Sequence, residues 1–226
     1  MNDVPSVSRR VAMLAWGAIL MLALGLTLPA SPARAARAAH EIGELTVLRG
    51  QATLTRAGKA VTVKHRHALE DGDEVRTAEH SRAMLETGSG DSKLEAILTE
   101  NTTLTVHDQK QKQESPLSLL FGAVRARIRH WTGQPFVVTN TATIGIKGTD
   151  FITYVKVQDA SEFIGVTGKI ECVSRSNPEY FINIGQRQWG KIEADKKPNA
   201  PIRVPDDVWA GAQKEFAFPG GKYKFS

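Results

Sequence analysis

Phe136-Val137-Val138-Thr139-Asn140-Thr141-Ala142-Thr143-Ile144-Gly145-Ile146-Lys147-Gly148-Thr149-Asp150-Phe151-Ile152-Thr153-Tyr154 decides the fold class. Two apolar, β-branched runs flank a Gly-Thr-Asp corner at 148–150, with Gly145 just upstream. Stiff branched side chains suit a pleated, half-buried surface. Gly148 can take backbone angles closed to other residues, and Asp150 is suited to accept hydrogen bonds from nearby amides. The stretch reads as strand, sharp corner, strand, so the domain around it is expected to be all-β.

Upstream, Gln51 to Thr55 and Ala60 to Val63 flank Arg56-Ala57-Gly58-Lys59, a hairpin in which Ala52, Leu54, Val61 and Val63 share the buried face. Glu70 to Glu74 makes a second corner. Ser81 to Thr87 and Lys93 to Leu98 form another hairpin around Gly88-Ser89-Gly90-Asp91, and Thr102 to His107 is a further strand. A polar loop, Asp108 to Ser115, separates the halves. Leu117 to Arg129, Phe163 to Val173 and Tyr180 to Ile192 continue the series. Elements recurring every roughly 8–12 residues predict a sandwich or a twisted, β-solenoid-like stack of short strands. From Glu193 the character changes: Pro198, Pro201 and Pro205 exclude a sheet interior, and Asp206 or Asp207 opens a short helix. The expected organisation is a leader over 1–35, a β domain over 36–192 and a Pro-rich tail over 193–226. The tail docks on the β body through Trp209, Phe216, Phe218, Tyr223 and Phe225.

Residues 1–35 read as an export signal. Arg9 and Arg10 precede an uncharged apolar run, Val11 to Leu28, and Ala33-Arg34-Ala35 forms an Ala-x-Ala cleavage site. The alternative is an uncut anchor in the inner membrane. Either way the bulk of the chain is expected in the periplasm or outside the cell, with membrane contact only if the leader stays. Removing Arg9, Arg10, Arg34 and Asp3 with the leader takes the formal charge from +5 to +3. That balance suits anionic surfaces without calling for nucleic acid. Cys172 is the single cysteine, which excludes an intrachain disulfide; it reads as a small buried hydrophobe.

Thr143 to Phe151 resembles the Thr-x-Gly-x-x-Gly-Thr-x-Phe core of the FecR-domain family. Further matches come in order: Gly43 to Gly50, the Leu69 to Asp73 turn, Ser81 to Leu85, Asn101 to Leu104, Leu117 to Val124, Val166 to Glu171 and Ile184 to Gln186. The resemblance runs from about Gly43 to Gln188. It implies a periplasmic β domain of iron-dicitrate-type signalling regulators, which receives a signal from an outer-membrane transporter. It also makes Gly145, Gly148, Thr149, Asp150 and Phe151 a structural corner rather than a reactive centre. Those regulators carry a cytoplasmic anti-sigma segment before their membrane crossing. Here only about ten residues precede the apolar run, too few for a stable helix, so this chain is expected to lack that segment.

Arg125, Arg127 and Arg129 alternate with Val124, Ala126 and Ile128, so they form a stripe opposite the core. Such a stripe could grip phosphate or carboxylate groups, and it is the candidate partner-binding basic face. His65 and His67 share a strand face but lack a third metal ligand. The Glu70–Glu74 corner reads as a solvated turn. No nucleophile elbow, Ser-x-x-Lys pair, His-Glu-x-x-His helix or phosphate loop is present, and His107-Asp108 has no nucleophile at a recognisable spacing. The expectation is a non-catalytic module without cofactor or metal that docks an envelope protein, within a signal-transduction complex. The alternative is a structural envelope protein that binds a carbohydrate or anionic cell-surface polymer directly.

Overall fold

The computed structural model describes residues 40–110, 115–128, 136–146, 149–157 and 159–219. The expected leader and Tyr223 and Phe225 lie outside the described residues, as do Arg129 and Gly148. Among the described residues no helix is long and apolar enough to cross a membrane.

Among the described residues, seventeen strands form one hydrogen-bonded system arranged as two layers. They are β1 (Glu41–Arg49), β2 (Ala52–Arg56), β3 (Lys59–Val63), β4 (Arg66–Glu70), β5 (Glu74–Thr77), β6 (Arg82–Thr87), β7 (Leu94–Leu98), β8 (Thr103–Val106) and β9 (Leu117–Ile128). Then come β10 (Val137–Val138), β11 (Ala142–Ile146), β12 (Asp150–Val157), β13 (Ala160–Thr167), β14 (Ile170–Ser174), β15 (Phe181–Ile184), β16 (Gln188–Glu193) and β17 (Ile202–Arg203), with one helix, α1 (Asp206–Glu215), after them. One layer runs β4-β1-β6-β7-β9-β12-β13-β16-β17, here the helix-side layer. The other runs β3-β2-β5-β8-β9-β10-β11-β14-β15. The all-β expectation holds: an open-edged, stacked arrangement of hairpins that is not closed into a barrel.

Strand β9 belongs to both layers. Its first part pairs with β8 and β10, and its second part, from Gly122, pairs with β7 and β12. Gly122 sits at the crossing with φ +94°, a conformation L side chains rarely adopt. The Thr102 hydroxyl stitches the crossing: it accepts from Ala123 N–H and donates to Ala123 O, both at 3.1 Å. The chain changes layer again at the corner read from the sequence, where β11 ends in one sheet and β12 opens in the other.

Inward side chains of both layers meet in one core that includes Leu45, Leu54, Leu85, Leu98, Leu104, Val124, Phe151, Phe163 and Ile184. Strand alternation puts these residues on one face, and burial of apolar area supplies the main favourable free energy. Cys172 is buried there, and burial pushes its thiol pKa well up. The hydroxyls of Thr139, Thr141 and Ser161 link β13 to the turn between β10 and β11, at 2.7–2.8 Å.

The helix-side layer is buried on its outer face too. Ile97, Ala123, Ile152, Ile164 and Val166 point away from the main core and pack under Val204, Trp209, Ala212 and Phe216. Asp206 and Asp207 occupy the first turn of α1, where the helix dipole favours negative charge. Phe216 is fully buried and meets Tyr154 edge-on, ring centroids 5.8 Å apart. Burial, together with Glu215 and Glu162, raises the Tyr154 pKa.

Candidate interaction site on the arginine strand

Strand β9 presents Arg125 and Arg127 on the outer face of the helix-side layer, opposite Val124, Ala126 and Ile128, as alternation predicts. What covers that face differs from expectation. Arg125 is only 2% exposed. Its guanidinium grips Asp150 on β12 with two parallel hydrogen bonds, Nε to Oδ1 at 2.7 Å and Nη2 to Oδ2 at 2.5 Å. A third bond runs from Nη1 to the Phe216 carbonyl at the end of α1, at 3.2 Å. A planar fork on a carboxylate is the strongest ion-pair geometry available to these side chains.

Arg127, half-buried, donates from Nε to Glu95 Oε2 at 2.6 Å. Its guanidinium lies 3.7 Å from the centre of the Phe218 ring, and Arg125 lies 5.1 Å from the same ring. Arg82 donates to the Ala217 carbonyl. Burial and the nearby Arg49 lower the Arg82 pKa. At the other end of α1, Arg187 pairs with Asp206 and stacks over Trp209 at 5.4 Å. The chain's own segment 206–218 therefore occupies the basic face. The reading of Arg125 and Arg127 as a solvent-facing stripe is corrected for these two residues.

At the motif corner, Asp150 is the buried counter-ion of Arg125. Thr149 is buried, and its carbonyl accepts from Ile128 N–H at 3.2 Å. Phe151 points into the main core and meets Phe136 edge-on at 6.0 Å. Gly145 lies within β11 opposite Glu171. The same chemistry recurs at the Glu70–Glu74 corner. Asp73, read as part of a solvated turn, is fully buried and takes Arg56 Nε and Nη2 at 2.8 and 2.7 Å. Arg56 also bonds Glu70 and, at 2.8 Å, the Ala68 carbonyl, which ties β2 of one layer to β4 of the other.

Histidines 65 and 67 do not share a strand, because His65 sits in the bend before β4. His107 Nε2 is 3.5 Å from Ser118 Oγ and its Nδ1 is 3.8 Å from Asp71 Oδ1. Both distances exceed the roughly 2.6–3.2 Å of direct proton transfer. Sequence reasoning missed the cover over the arginines. The signal was Ile97, Ile152 and Ile164, apolar residues at positions that alternation assigns to the outer face.

Residues 73–171 match the family model described as FecR protein. This chain is similar to two crystal structures of a candidate anti-sigma factor from Parabacteroides distasonis ATCC 8503. The 1.65 Å structure is 14% identical, with a TM-score of 0.49, over 62% of this chain and 64% of that one. The 2.50 Å structure is 15% identical, with a TM-score of 0.46 and the same coverage. This chain thus spans less than two thirds of the length of those chains. No curated protein matches it.

Proposed function

We propose, from the match of residues 73–171 to the family model described as FecR protein, that this chain is an exported binding module that docks an envelope protein and works as a regulator domain in signal transduction. Its contact surface is an open sheet edge, and the arginine strand is internal. The observation that carries the reading is the sealing of Arg125 and Arg127 by the chain's own segment 206–218, which leaves the edges of the two layers, unpaired among the described residues, as contact surfaces. Unpaired edges accept a partner strand readily. The chemistry asked of the domain is recognition, with no catalytic group, cofactor or metal assigned.

The test is capture from a detergent-solubilised envelope fraction by the full chain at 0.1 and 0.5 M salt. In parallel, sedimentation with purified cell wall and anionic vesicles reads direct polymer or lipid binding. The reading expects a defined protein partner retained at high salt. Binding to wall or vesicles alone, lost at high salt as screened charge contacts are, would favour direct polymer binding instead.

A further inference from the structure

We infer that strand β3 and the bend after it form the docking edge, and that its occupant is an extended acidic segment of the partner, added as a strand beside β3. This rests on the docking reading above and names the surface and the chemistry.

Strands β3 and β4 are consecutive in the chain, yet each is the outermost strand of a different layer. Among the described residues the sandwich is therefore open at this end. Arg56 and Lys59 flank a two-residue turn, Ala57-Gly58, with φ of +47° and +78°. Such a turn makes its flanking residues a hydrogen-bonded pair, and hydrogen bonding alternates along an antiparallel ladder. Lys59, Val61 and Val63 thus direct their main-chain groups to β2, and Ala60 and Thr62 direct theirs outward. Among the described residues β3 pairs with β2 alone.

Side chains at this edge add an apolar lip and a charge. Val61 sits opposite Leu54, which is buried, so it faces inward; it is nevertheless 48% exposed, since no described strand pairs with β3 on its far side. The sequence reading placed Val61 in the core, and an added strand would complete that arrangement. His67 is placed similarly on β4, opposite the buried Leu45. Around the lip, Lys59, Lys64, His65 and Arg66 are exposed. Arg66 is balanced by Glu44 at 3.6 Å, and Glu70 pairs with Arg56, so the excess charge at the lip is that of Lys59 and Lys64. The remaining field is positive, which selects an acidic strand and repels a basic one.

The probe is a nine-residue peptide alternating Glu with Val and Thr, with a Lys-for-Glu counterpart as control. Binding to the full chain is read by fluorescence anisotropy, and Ala60 and Thr62 amide exchange by NMR or mass spectrometry. The inference expects binding of the acidic peptide only, with at least tenfold slower exchange at Ala60 and Thr62. Thr62→Pro removes an outward N–H and no bond to β2, so it should weaken binding at least tenfold. Val61→Glu, at an exposed site, should do the same through repulsion if the proline variant fails to fold. Equal binding of both peptides, or unchanged exchange at the two amides, overturns it. Envelope capture by the same variants separates the two ideas: capture undiminished by either substitution rejects this edge and leaves docking intact. Peptide binding without any envelope capture rejects docking.

Discussion

Arg125→Ala should lower the unfolding free energy by about 3–5 kcal/mol, because it strands the buried Asp150 carboxylate without its partner. The side chains are 3% and 12% exposed, so solvent screens the pair little. The same change removes the bond to the Phe216 carbonyl and loosens α1. Urea unfolding should show a lower midpoint with an unchanged slope. Asp150→Ala should cost a comparable amount, and Arg125→Met with Asp150→Leu should recover most of the loss, since an apolar pair of similar volume can replace a buried ion pair. A loss below about 1 kcal/mol, the range of exposed ion pairs, would contradict the buried placement. Replacing Arg125, Arg127 and Arg129 together would therefore report on folding before it reported on binding.

Gly122→Ala should be destabilising by about 2–5 kcal/mol, combining a disfavoured positive φ with overpacking. A β-carbon there would stand 2.8 Å from the Asn101 carbonyl oxygen and against the Thr102 α-carbon. Both are main-chain atoms that cannot rotate aside. The substitution acts where β9 leaves one layer for the other, so it tests the architecture as well as the site. Gly58→Ala is the comparison: its φ is also positive, but a β-carbon there meets nothing within 4 Å. It should cost about 1–2 kcal/mol, the strain alone. Equal losses at the two glycines would remove the crowded crossing from the account.

Local pattern was enough for the hairpins. Alternation in 52–63, broken by a glycine turn, placed Ala52, Leu54 and Val63 inward, where they are found. The Gly-Thr-Asp segment was readable as a corner because its residue types permit little else. Contacts set far along the chain were not readable. Alternation put Arg125 opposite Val124, but what lies over it is decided by Phe216 and Phe218, some ninety positions later. Val61 is inward by pattern and exposed by strand order, which no local period encodes. Asp73 looked like a solvated turn because Arg56, seventeen residues earlier, is brought to it only by the β2–β5 pairing.

Two ideas support each other: a body whose cationic strand is sealed from within, and recognition that moves to its open flank. Arginine-selective labelling of the folded full chain with phenylglyoxal, read by peptide mass spectrometry, tests the first directly. Arg66 and Arg76, both exposed, should be modified promptly, while Arg125 stays unmodified until the chain is unfolded. Modification of Arg125 at the rate of Arg66 would show that residues 206–218 do not cover it, and would return the stripe to solvent.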